Sequence, residues 1–201
     1  MITFSFILFL IFAYLMGSIP FGYLIPKMKG IDIRNVGSKA TSSTNVSRAL
    51  GWRWGIVNGL LDLSKAFIPT MLALNYLTND WEIVAVAAMP ILGHVFPVWL
   101  KFKGGKGGAP LYGSMIALVG FQSPILFIGI ASFAAILIIS RTMSVANLML
   151  SWILIPLAFF FGNKGYLIAF SILGALFVTI ALRENIKRLK DGTEPKTSFK
   201  L

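Results

Sequence analysis

Between Gly37 and Arg48 the chain carries six hydroxyl side chains, one amide and two cations, with no acid among them. Hydroxyl and amide donors beside guanidinium and ammonium groups suit an oxyanion such as phosphate, because no carboxylate competes for them. The same side chains would equally cap helices and satisfy turns, and composition leaves both uses open. A second loop reads Gly104-Gly105-Lys106-Gly107-Gly108-Ala109-Pro110. Glycines let backbone amides approach an anion, and a helix starting directly behind them adds unpaired N–H groups and a positive dipole end. Pro110 suits the first turn of that helix. A nucleotide P-loop needs Ser or Thr after its lysine; Gly107 stands there instead, so ATP and GTP are not expected. A glycine turn carrying a lysine that merely orients the chain is the plainer alternative.

Three further groups sit among apolar residues. Asp62 and Lys65 are spaced i and i+3, close enough to pair across one helical turn. Such a pair is either a structural ion pair or the polar wall of a pocket. His94 precedes the glycine loop and suits a general base or a hydrogen-bonded structural histidine equally well. Cysteine is absent and His94 is the sole histidine. Disulfides, thiolate nucleophiles and Cys-ligated zinc are therefore excluded, and a His-based metal site is not expected.

The elements that must position these loops are apolar. Of 201 residues, 57% are hydrophobic and 12% charged, about half the charge of an ordinary soluble chain, and the mean hydropathy is +0.81. A bilayer is the economical place for so much apolar surface. Seven segments read as spans: 2–26, 54–78, 83–100, 109–121, 123–140, 144–161 and 165–182. The first lacks a basic leader and stays apolar through Ile25, so it reads as a retained helix rather than a signal peptide. The fourth is short for a full crossing. With seven crossings, 16 basic residues share one side, Lys164 lies on the other, and Lys65 lies within a span. Without the fourth the split becomes 10 against 7. Basic residues collect on the cytoplasmic side, so seven crossings are expected, with the N-terminus outside and the C-terminus inside. The net charge of +11 then reflects topology and lipid headgroups, not nucleic acid. Behind the last span, Arg183, Lys187 and Lys190 form a basic stripe, with Asn185 off it, and Asp191-Gly192 ends the helix.

At these residues the chain resembles the bacterial membrane glycerol-3-phosphate acyltransferases that use acyl phosphate as donor, the PlsY family. The resemblance runs through Gly17-Ser18-Ile19-Pro20-Phe21-Gly22, Asp32-Ile33-Arg34-Asn35-Val36-Gly37-Ser38 and Thr44-Asn45-Val46-Ser47-Arg48-Ala49-Leu50-Gly51. It continues through Asp62 with Lys65, Gly93-His94-Val95-Phe96-Pro97-Val98, Phe102-Lys103-Gly104-Gly105-Lys106-Gly107 and Arg183-Glu184-Asn185-Ile186. It implies one all-α transmembrane domain over 1–201, in the bacterial plasma (inner) membrane, with its site facing the cytoplasm. The implied reaction moves a fatty acyl group from acyl phosphate to the 1-hydroxyl of glycerol 3-phosphate, giving lysophosphatidic acid for phospholipid synthesis. No cofactor is implied, and the partners are the two substrates and membrane lipids, not nucleic acid; a monomer is compatible with this, and the oligomeric state stays open. Matching positions imply that Lys106, Ser38 and Asn185 are catalytic. Arg48, Thr44, Asn45, Ser144, Gly104, Gly105 and Gly107 would hold phosphate, with His94, Asp62, Lys65 and Lys39 as further possible contributors.

The chain departs from the family pattern in three places, one of them after Gly107, where the family tends to have an apolar residue and then Ala-Thr and this chain has Gly108-Ala109-Pro110. The family's loop usually runs Gly-Ser-Gly-Asn-x-Gly-Ala-Thr-Asn, whereas Lys39, Ala40, Thr41, Ser42 and Ser43 follow Ser38 here. The family's histidine before Arg-Glu-Asn is Leu182. These departures leave a non-catalytic binder of phosphorylated lipid or metabolite as an alternative. A small transporter of a phosphate-bearing solute is another, though no half-length repeat supports it.

Overall fold

The computed structural model describes residues 4–162 and 164–197. Ile2 and Thr3, at the start of the first expected span, and Lys200 in the basic tail lie outside the described residues. The described residues are helical or irregular: α1 (Phe4–Ser18), α2 (Phe21–Met28), α3 (Ser43–Leu50), α4 (Trp52–Tyr76), α5 (Asp80–Val95), α6 (Gly108–Val119), α7 (Pro124–Ser140), α8 (Met143–Leu157), α9 (Gly165–Ala181) and α10 (Arg183–Lys190). Four stretches among them are long and apolar enough to cross a membrane: Phe4–Met28, Trp52–Tyr76, Asp80–Leu100 and Met143–Gly162. The α9–α10 pair makes a fifth if taken as one span, and α6 and α7 are shorter apolar helices.

Each expected segment is a helix within a few residues of the expected ends, with two differences of shape. The first segment breaks between α1 and α2, because the residue before a proline is pushed out of helical backbone and Pro20 has no N–H to continue the ladder. The last segment bends by 63° between α9 and α10. Leu182 sits at that bend, fully buried, so the motif expected to close the last span forms a separate helix. Local capping explains several boundaries. Asn79 accepts a hydrogen bond from Trp81 N at 2.9 Å, and Asp80 and Glu82 occupy the first turn of α5, where negative charge meets the positive end of the helix dipole. Ser123 caps α7 with Pro124 directly behind it.

The chain packs as two compact bodies, one through Leu118 and one from Val119. In the first, α1 packs on α5 and α4, and α3 packs on α4. Ala13, Ala73 and Val86 are fully buried in a cluster with Leu77 and Ile83. Small side chains there let helix backbones approach closely, which is how helices associate where lipid is as apolar as leucine. In the second body, α8 packs between α7 and α9.

Candidate active site

In the first body, the loop leading into α3 is organised by one side chain. Asn45 is fully buried. Its Oδ1 accepts from Ser38 N at 3.1 Å, and its Nδ2 faces the carbonyls of Val36 at 2.9 Å, Ala40 at 3.0 Å and Ile33 at 3.4 Å. Asn45 thus folds residues 33–40 around itself, and both Nδ2 hydrogens are directed at loop carbonyls. Gly37 turns with φ +52°, and a Cβ there would run into Asn45 Oδ1. Lys39 also adopts a left-handed backbone, φ +58°, where the family pattern has glycine. Ser42 caps α3, accepting from Asn45 N at 3.4 Å. Thr44 and Arg48 then follow at i and i+4 on one face of α3. Arg48 is exposed and Thr44 half-buried, while the Ser38 hydroxyl is buried with no hydrogen-bond partner.

The loop's acid is neutralised locally. Arg34 donates to Asp32 through Nε at 2.9 Å and Nη2 at 2.6 Å, and through its backbone N at 3.1 Å. These hydrogen bonds, the side-chain ones foremost, hold the Asp32 carboxyl at a pKa of about 2. Asp32 is therefore ionised and already matched by Arg34 near neutral pH.

The glycine loop lies against the C-terminal end of α5. Gly105 N donates to His94 O at 2.9 Å and Gly104 N donates to Val95 O at 3.1 Å. A Cβ on Gly105 would collide with the His94 ring, so only glycine permits this approach. Gly107, with φ +77°, precedes α6 directly, and Lys106 beside it is half-buried. Beneath lies a buried polar cluster. Asp62 Oδ1 is 2.9 Å from Lys65 Nζ and 3.5 Å from His94 Nδ1. Asn58 Nδ2 donates to Asp62 Oδ2 and to Ser43 Oγ, both at 2.9 Å, and Lys65 Nζ donates to Ile19 O at 2.7 Å. A cavity of about 10 Å³ is lined by Ser18, Thr41, Asp62, Lys65, His94 and Gly105, among others.

In the second body, Ser144 and Asn185 are brought together by a residue that sequence reasoning assigned no role. Glu194 accepts from Ser144 Oγ at 2.8 Å, Asn185 Nδ2 at 2.6 Å and Arg188 Nε at 2.7 Å. Burial pushes its carboxyl up, but the three donations outweigh burial and hold it below its ordinary value. No spacing rule could have found Glu194, which lies in an irregular tail. Asn58 was legible in principle, since Asn58, Asp62 and Lys65 fall at i, i+4 and i+7 of an apolar helix, on one face.

An all-helical protein of the membrane, carrying a glycine-rich and a hydroxyl-rich loop at its helix ends, is the class these observations define. Comparison with known proteins narrows it. The glycerol-3-phosphate acyltransferase family model matches residues 7–192. The glycerol-3-phosphate acyltransferase of Thermus thermophilus is 35% identical over 186 residues, covering 92% of each chain. That of Geotalea daltonii is 39% identical over 189 residues, covering 94% of this chain and 95% of the relative. Among solved structures, PlsY, an integral membrane glycerol 3-phosphate acyltransferase, superposes in its glycerol 3-phosphate form with a TM-score of 0.90 at 34% identity, over 96% of both chains. Its lysophosphatidic acid form superposes with a TM-score of 0.88 at 33% identity. The chain belongs to the glycerol-3-phosphate acyltransferase family, and it is an all-α integral membrane protein.

Proposed function

We propose that this chain transfers a fatty acyl group from acyl phosphate to the 1-hydroxyl of glycerol 3-phosphate, releasing inorganic phosphate and forming lysophosphatidic acid. The observation that carries this is the family match over 7–192, which spans both loops that the residue chemistry assigns to oxyanions. Acyl phosphate brings its own leaving group, so an enzyme nucleophile is unnecessary. The substrate hydroxyl oxygen bonds to the acyl carbon, the carbon–oxygen bond to phosphate breaks, and phosphate departs with the bonding pair. A phosphate monoester has a second pKa near 6, so the acceptor's own phosphate takes the hydroxyl proton.

Lys106 steadies the donor phosphate and the negative charge that develops on it, where a fixed cation acts most strongly. The backbone N–H groups at Gly107 and the start of α6 serve the same anion, while those of Gly104 and Gly105 tie the loop to the α5 carbonyls. Ser38, with its buried hydroxyl unpartnered, donates to substrate, and Thr44 and Arg48 hold phosphate from α3. Asn45 acts through the loop backbone it organises. Asn185 gives one amide hydrogen to Glu194 and directs the other to oxyanion, while Ser144 spends its one hydroxyl hydrogen on holding Glu194. Residues 1–201 act as one transmembrane domain of a bacterial plasma membrane, crossing seven times with the N-terminus outside. The one-sided distribution of Lys and Arg supports this topology and a site facing the cytoplasm. Lys39 supplies the cation that offsets the missing loop glycines.

The test combines palmitoyl phosphate, labelled glycerol 3-phosphate and detergent-solubilised protein. Labelled lysophosphatidic acid is expected, falling by about 10²–10³-fold in Lys106→Ala, the loss typical of one electrostatic group at the reacting centre. No product from folded wild-type protein would overturn the assignment. Unchanged turnover in Lys106→Ala would remove that residue from the mechanism.

A further inference from the structure

The Asp62 cluster is more connected than an ion pair needs to be. Asn58, Asp62, Lys65 and His94 are all buried, with Asp62 and Lys65 each 2% exposed. A pair kept only for stability would satisfy itself on α4. Here each partner reaches a different segment. Asn58 bridges Asp62 Oδ2 to Ser43 Oγ, in the first turn of α3. Lys65 holds the carbonyl of Ile19 at the α1–α2 break. His94 faces Asp62 on one side and supports Gly105 on the other, through the ring contact and the Gly105 N to His94 O hydrogen bond. Thr41, from the hydroxyl loop, and Gly105, from the glycine loop, line the same small cavity as Asp62. One carboxylate therefore lies at the junction of both oxyanion loops.

We infer that Asp62 is a positioning residue for phosphate recognition: through Asn58–Ser43 and through His94 it sets the start of α3 and the Gly104–Gly105 backbone relative to one another. This rests on the proposed function for the identity of the ligand, and on the geometry alone for the coupling. Thr44 beside Ser43 and Lys106 beside Gly105 ride on these two backbones, whose course no side-chain rotamer can repair. A misplacement of about 1 Å at such groups costs as much as about 100-fold in rate.

The difficulty is to separate positioning from stability, and buried ion pairs provide the means. Removing one partner strands the other charge and destabilises strongly, whereas replacing both by apolar residues of similar volume is often neutral or stabilising. The double variant Asp62→Leu/Lys65→Met is therefore compared with wild type in detergent. Its melting temperature and the equilibrium binding of labelled glycerol 3-phosphate, by dialysis, are measured alongside the KM for each substrate. The expected result is a melting temperature close to wild type, with dissociation constant and KM for glycerol 3-phosphate raised about 10- to 100-fold. Wild-type affinity and KM in the folded double variant would overturn the inference and leave the cluster purely structural. Should the double variant fail to fold, Asn58→Leu, which cuts the Asp62–Asn58–Ser43 arm and leaves Lys65 and His94 beside Asp62, is judged on the same two readouts by the same criterion. The binding arm also separates this inference from the proposed function. Wild-type protein that binds glycerol 3-phosphate but makes no lipid overturns the activity, while the variant's affinity still decides the role of Asp62.

Discussion

Two buried carboxylates anchor this molecule in contrasting ways. Asp62 lies within α4 and is tied to partners on α4 and α5, and through Asn58 to α3. Glu194 lies in the tail behind α10, with partners from α8 and α10. The first is enclosed by apolar helices, 2% exposed, whereas Arg188, the cation beside the second, has a side chain 34% exposed. A carboxylate enclosed in this way depends on its protein partners for nearly all of its matching. At the edge, it is the cation Arg188 that is matched partly by solvent. The Asp62 cluster can therefore determine backbone positions several helices away, while the Glu194 cluster orders two donors and remains open to the pH outside.

That contrast can be broken at several points. The largest effect is expected from Asp62→Leu alone, which strands Lys65 inside a span and costs about 3–5 kcal/mol. Thermal unfolding in detergent measures it, and a loss below about 1 kcal/mol would mean that water reaches the cluster. Glu194→Ala should cost less, about 1–3 kcal/mol, because it abandons two buried but neutral donors, Ser144 and Asn185, and a cation, Arg188, that reaches solvent. The pH dependence sharpens the difference. Glu194 is held below its ordinary value of 4.5. Its contribution is thus fully present above that pH and is lost as the pH falls through its lower folded value. Wild type should lose stability on acidification below about pH 4.5 more steeply than Glu194→Gln. Parallel curves would detach Glu194 from acid stability. The smallest effect belongs to Lys39→Gly, where relief of a left-handed backbone opposes the greater freedom of glycine in the unfolded chain. The net change should stay within about 1 kcal/mol, with a rise in KM for glycerol 3-phosphate if the cation matters.

The helices were legible because hydropathy is local. Twenty apolar residues declare a span wherever they stand, and α4 through α9 begin and end near the expected positions. The α1–α2 break at Pro20 was legible in principle from the proline. The 63° bend at Leu182 was not, since neither proline nor glycine marks it. The hydroxyl-rich and glycine-rich loops could be picked out from residue types, because a stretch that excludes acids or gathers glycines around a lysine leaves a compositional trace.

What the chain could not disclose by itself was which of these groups are available. Asn45 reads as a phosphate donor, yet its amide is committed to the loop it folds. Asp62 and Lys65 read as a pair, and only tertiary structure adds Asn58, Ser43, Ile19 and His94 to it. Glu194 carried no signal until folding brought Ser144 to it from fifty residues away. Burial in lipid and the placing of loops follow from each residue's own transfer energy, summed over a window, so sequence determines them. The matching of buried polar groups is a condition on residues distant in the chain. It is met only when helices pack, and the packing decided it.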